Sequence, residues 1–123
     1  MEDQTTPWYN VVAYVALVIA MFTYGSAAAQ NPCNSEICVV QFNAGWNGAN
    51  SIDYLDDLTD CSTMNVNIED GSWREDYGIV VVPTVIVFNG KEVERFQADI
   101  SFKIVATRKD VQGIIDDIIY SDF

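Results

Sequence analysis

Between Asp3 and Glu36 the chain carries no charged residue, and the heart of that stretch, Trp8 to Ala29, reads WYNVVAYVALVIAMFTYGSAAA. About 20 apolar residues in a helix span a hydrocarbon core. A single transmembrane helix is therefore expected over residues 8–29, behind a short acidic tail at 1–7. Trp8, Tyr9 and Tyr24 suit the aromatic belts at the two interfaces, and Ala13, Ala16, Ala20 and Gly25 would let a neighbouring helix approach closely. The rival reading is a cleaved secretory signal, because Ala27-Ala28-Ala29 precedes Gln30 with the small residues a signal peptidase favours. Such a signal opens on basic residues, whereas this one opens on Glu2 and Asp3, so a retained anchor is expected. Neither flank carries Lys or Arg, which leaves the side taken by the soluble domain open.

Charge narrows the partners. Six basic residues stand against 18 acidic ones, for a net charge of −12, and no basic side chain precedes Arg74. A phosphate backbone needs clustered Lys and Arg, so no nucleic acid is expected, and adhesion to an anionic lipid surface is equally disfavoured. The expected partners are other protein subunits, with the lipid bilayer met only through residues 8–29. The chain has no histidine, which excludes His-based triads and His-ligated metals. Three cysteines without a C-x-x-C pair cannot form a four-Cys zinc site. No metal and no other cofactor is expected.

After a linker at 30–37, residues 38–123 read as a small α/β domain. Glu36 to Asn43 (EICVVQFN) is a β-branched apolar run of the kind found in a strand covered on both faces. Asn47 and Asn50 are placed to cap a helix whose apolar edge is Ile52, Leu55 and Leu58. Met64, Val66 and Ile68 alternate with polar residues, as in a second strand. Gly71 to Tyr77 predicts a short helix stopped by Gly78. Thr84 to Phe88, Asn89-Gly90 and Lys91 to Phe96 predict two strands joined by a type I′ turn. Val111, Ile114, Ile115, Ile118 and Ile119 then place one apolar stripe on a helix from about Arg108 to Tyr120. The element order is β-α-β-α-β-β-α, a central mixed sheet with flanking helices.

That order, with Trp46-Asn47-Gly48-Ala49-Asn50 after the first strand and Tyr77-Gly78-Ile79-Val80-Val81-Val82-Pro83-Thr84 before the hairpin, resembles thioredoxin from about Val39 to Tyr120. The resemblance implies a minimal thioredoxin-like fold, here preceded by the transmembrane helix. It implies a cis bond before Pro83 and a peptide-binding groove around Trp46, Val82, Pro83 and Thr84. The family's W-C-G-P-C stands here as W-N-G-A-N, with both redox cysteines replaced, and its buried acid is replaced by Gln41. A carboxamide supplies no thiolate to attack sulfur, so no catalytic residue and no enzymatic activity is expected at this site. The family's first strand and helix are not visible, which would leave a sheet edge uncovered. Asp99 to Thr107 (DISFKIVAT) is an insertion, either an added strand or an apolar contact for another protein.

Cys33, Cys38 and Cys61 leave three readings open: a relocated redox pair Cys33 and Cys38, a structural bridge from either of these to Cys61, or ordinary thiols. Asp53, Asp56, Asp57 and Asp60 would share one face of the first helix, most simply a solvated face. Trp73, Arg74, Glu75 and Asp76 read as surface. The expected function is that of a non-catalytic, membrane-anchored thioredoxin-like subunit, structural or adaptor, of a membrane complex or a virus particle. The alternatives are a redox-inactive peptide-binding or chaperone-like module and, third, a thiol oxidoreductase using Cys33 and Cys38.

Overall fold

Val39, Val40, Val85, Ile86 and Val87 are β-branched and wholly shielded from solvent, as residues of a central strand pair must be. In the computed structural model, which describes residues 30–33 and 35–121, they lie in β1 (Ile37–Asn43) and β3 (Thr84–Asn89). These strands run antiparallel with Val40 opposite Ile86. Outside them lie β2 (Ser62–Asn67), parallel to β1, and β4 (Lys91–Gln97), antiparallel to β3, so the sheet order is β2-β1-β3-β4. The sheet is mixed and α/β in layout, as expected. The predicted anchor at 8–29 lies outside the described residues; among the described residues no helix is long and apolar enough to cross a membrane.

Side chains alternate across the strands and build a core on each face. One face gathers Cys38, Val40, Phe42, Val66, Ile79, Ile86 and Phe88. Trp73 and Tyr77 pack onto it, with ring centroids 5.9 Å apart and Tyr77 5.3 Å from Phe42. Trp73, expected on the surface, is thus part of this packing. It comes from the single turn α1 (Trp73–Asp76), which Gly78 ends at φ +59. Arg95 on β4 closes α1 by donating to the carbonyls of Tyr77 and Gly78 at 2.7 and 3.0 Å, while pairing with Glu92 at 2.8 Å. The other face gathers Val39, Leu55, Leu58, Val85, Val87, Val111, Ile115 and Ile118. Here α2 (Arg108–Ser121) lays down the predicted stripe. Thr107 and Asp110 start it as a capping box: the Asp110 amide donates to Thr107 Oγ1 and the Thr107 amide to the Asp110 carboxylate.

Two local predictions are corrected, and one of two readings left open for residues 99–107 is not met. The first helix is not continuous: the chain forms 3-10 segments at Gly45–Asn50 and Leu55–Asp57 with irregular backbone between. Asn, Ser and Asp are weak helix formers, and the pairs Asp53/Asp57 and Asp56/Asp60 would repel at helical spacing. The four acids consequently share no helix face, and Asp60 adopts φ +63. The hairpin turn is not type I′, which needs positive φ at both central residues; Gly90 has φ +81, but Asn89 stays extended as the register partner of Ile37. Asp99 to Thr107 adds no strand. Asp99 Oδ1 accepts from the Ser101 amide and hydroxyl and the Lys103 amide, and this local turn outcompetes a ladder.

Gln30, Asn31 and Glu36 meet the hairpin tip. Gln30 bridges to Lys91, the Asn31 amide donates to the Gly90 carbonyl, and Tyr77 Oη donates to the Gln30 carbonyl at 2.8 Å.

Candidate functional site

At the C-terminal end of β1 the backbone leaves the sheet at Asn43 and turns into the Gly45–Asn50 segment, gathering carboxamides in place of ionisable groups. Asn43 Nδ2 donates to the Asn47 carbonyl and to Ser51 Oγ, and its Oδ1 accepts from the Ala44 amide and from Asn47 Nδ2. Asn47 is buried, and its Nδ2 also faces the carbonyls of Val82 and Phe102, each at 3.3 Å. Asn50 Nδ2 donates to Asn47 Oδ1 at 2.7 Å. One strand turn earlier, Gln41 accepts from the Ile52 amide and donates to Asn65 Oδ1, both at 2.8 Å. Every buried side-chain nitrogen and oxygen among the described residues has a partner. None of these amides titrates, so the network carries hydrogen bonds and no protons.

The implied groove residues meet at this end. The Val82-Pro83 bond is cis, Pro83 and Thr84 are buried, and Thr84 Oγ1 donates to the Val81 carbonyl at 2.7 Å. Trp46 stands 67% exposed, and the inserted loop lays Phe102 edge-on against it with centroids 5.5 Å apart. The Asn47 side chain thus faces the Val82 carbonyl from within the chain. Gly48 and Ala49 lie exposed on the far side of the 3-10 segment. Asn43 was not singled out from sequence, and Phe102 only as one of the alternating apolar residues of the 99–107 insertion. The spacing Asn43 to Asn47, one helical turn past a strand end, was the signal for Asn43; the reach of Phe102 to Asn47 across 55 positions had none.

The sulfur lies at the opposite end. Cys33 and Cys38 form a disulfide, with Cα atoms 6.0 Å apart. Cys38 is wholly buried on the Phe42 and Phe88 face, and Cys33 is half-buried against it. Asn31 sets the loop between them: its Oδ1 accepts from the Cys33 amide at 2.8 Å, and its Nδ2 donates to the carbonyls of Ser35 and Glu36. Cys61 is at the same end but belongs to the other core, across the sheet, and is free. Burial pushes its thiol pKa up, with the Asp60 carboxylate adding to the rise. Of the bridges left open by the sequence, the one formed leaves Cys61 out.

This disulfide, on a thioredoxin-like framework, overturns the expectation that the chain has no enzymatic chemistry. That expectation rested on the loss of cysteine at Asn47 and Asn50 and ranked the Cys33 and Cys38 pair last, whereas these two are the cysteines that are joined.

No family model and no curated protein sequence matches the chain. Among solved structures it is similar to a point mutant of thioredoxin from Halobacterium salinarum, with 17% identity, a TM-score of 0.53 and coverage of 68% of this chain and 75% of that one. It is similar to malaria-parasite thioredoxin-2, at 17% identity and TM-score 0.53, covering 71% and 89%. A thioredoxin mutant from Entamoeba histolytica gives 16% and 0.51, covering 79% and 92%. At these identities the likeness speaks for the fold, which is thioredoxin-like.

Proposed function

We propose that this protein is a thioredoxin-fold thiol oxidoreductase whose exchanging pair is Cys33 and Cys38, at the end of the sheet opposite the family's usual position. The observation that carries the reading is the disulfide itself, with Cys33 half-buried and Cys38 wholly buried. A substrate thiolate attacks Sγ of Cys33, the Cys33–Cys38 bond breaks, and the electron pair leaves on Sγ of Cys38, which takes a proton. A second substrate thiolate then attacks the mixed disulfide and releases Cys33. The substrate dithiol is oxidised to a disulfide and the protein pair reduced by two electrons; the reverse sequence reduces a substrate. Asn31 keeps the loop folded in the geometry to which the reduced pair returns.

Reduction of a synthetic peptide disulfide by the full chain, with a small dithiol as the electron donor, tests this. Cys61→Ser is expected to retain turnover, Cys33→Ser to lose it, and Cys38→Ser to accumulate a mixed disulfide through Cys33. A chain whose disulfide resists dithiol while folded, with no mixed disulfide in Cys38→Ser, would overturn the reading.

We propose separately that residues 8–29 tether this domain to a bilayer beside other subunits. The charge-free run supports it. Retention of the full chain in membranes at alkaline pH is the expected result; release into solution would refute it.

A further inference from the structure

The two edges of the sheet are built oppositely. Edge strand β4 carries Lys91, Glu92, Glu94 and Arg95, and its register slips between Val87 and Phe88 so that Val93 is an extra residue. Charge and a bulge are the devices that keep an edge from pairing. The other edge, β2, reads STMNVN, with no charge, no proline and no bulge in its register with β1. Because the Ile68 amide donates inward to the Asn43 carbonyl, alternation turns the backbone groups of Thr63, Asn65 and Asn67 outward. Among the described residues nothing pairs with those of Thr63 and Asn65, while the Asn67 carbonyl accepts from the Asp70 amide at 3.1 Å.

We propose that the outer edge of β2 takes up an extended strand of a basic partner protein, adding to the four-stranded sheet. Charge selects that partner over a second copy. Asp60 precedes β2, Glu69 and Asp70 follow it, and the chain's net charge is −12. An antiparallel second copy would set Asp60 against Glu69 and Asp70, whereas Lys or Arg flanking the incoming strand would meet them favourably. The side chains set the pattern of that strand. On one face Gln41 pairs in register with Asn65, and Asn43 with Asn67, beneath a cavity of about 410 Å³ that Ser51 also lines. The Nδ2 groups of Asn65 and Asn67 donate to no described residue, so the partner's residues on this face are amides or hydroxyls that extend the two rungs. On the other face Met64 leans half-buried on the Phe42 core, which favours apolar residues. The recognised strand thus alternates apolar and amide side chains between basic flanks.

The test uses the full chain in mild detergent and a labelled peptide Lys-Lys-Val-Asn-Val-Asn-Val-Lys-Lys, followed by fluorescence anisotropy. Saturable binding is expected. It should weaken by about tenfold in Asn65→Lys and in Thr63→Pro, each removing or blocking outward pairing, and be lost when alternate peptide nitrogens are methylated. A cooperative unfolding transition in urea verifies that each variant folds. Equal binding of a Glu-flanked or N-methylated peptide would overturn the proposal, as would no binding of the Lys-flanked one. A dimer of the chain alone that Asn65→Lys dissolves, or a cross-link from β2 to residues 1–29 of the same chain, would replace the basic partner with another occupant and so refute it.

Discussion

The two ends of β1 hold different chemistry on one scaffold. At its C-terminal end Asn43, Asn47 and Asn50 form a closed set of hydrogen bonds around the cis Val82-Pro83 bond, in a place where the resemblance would put thiols. At its N-terminal end Cys33 and Cys38 are joined, with no basic side chain among the contacts that fix their loop. The first end has polar groups that cannot ionise, and the second has groups that can exchange electrons. A fold therefore specifies where side chains converge, while residue identity decides whether that convergence supports bonding alone or chemistry.

The sharpest contrast between the ends comes from Cys38→Ser. It removes a cross-link and leaves a hydroxyl among Phe42, Val40 and Phe88, so unfolding in urea should show a loss of about 4 kcal/mol, from the lost loop constraint plus an unpaired buried polar group. At the amide end, Asn47→Ala strips donors from the Val82 and Phe102 carbonyls and an acceptor from Asn50. A loss of about 2 kcal/mol is expected, together with faster amide exchange in residues 99–107 and unchanged turnover of the peptide disulfide. Altered turnover in Asn47→Ala would break the division of roles. Tyr54→Phe is milder. Its hydroxyl donates to the Ala106 carbonyl at 2.7 Å, and its loss should cost about 1 kcal/mol. Burial, then Asp110 and Asp53, hold this phenol's pKa above its ordinary value. The phenol contributes stability fully below the unfolded-state value and loses it as pH rises through the folded one, so the gap between wild type and Tyr54→Phe should narrow in strong alkali.

Legibility in the sequence followed the range of the interactions. The four strands and α2 are visible as runs and stripes because period and burial are local properties. The Asn89-Gly90 turn was misread because Ile37 on a third strand holds Asn89 extended, an influence no dipeptide reveals. Ile52, Leu55 and Leu58 did sit at helical spacing, yet Asp53, Asp56, Asp57 and Asp60 on the same segment broke the helix, so the apolar period outran the charge pattern. Asn47 was legible as a lost cysteine but not as a clasp on Val82, 35 residues away. The pairing of Cys33 with Cys38 was one of several arrangements until the loop folded around Asn31.

The smallest effect concerns the third sulfur. Cys61 lies across the sheet from the disulfide, where burial first and Asp60 second raise its pKa. A thiol alkylates as its thiolate, so iodoacetamide should label Cys61 in the folded chain more slowly than in urea at the same mildly alkaline pH, with its inflection displaced upward. The neutral thiol stabilises the fold below the unfolded-state pKa, and that contribution disappears as pH rises through the folded one. Asp60→Asn separates the two causes. Asp60 sits at φ +63, a conformation asparagine also tolerates, so the backbone is spared and only the charge is removed. Because burial is the larger cause, labelling should quicken only slightly. A jump to the unfolded rate would mean that the carboxylate dominates and that Cys61 faces water, so that a second reactive thiol stands on the opposite face of the sheet from the exchanging pair.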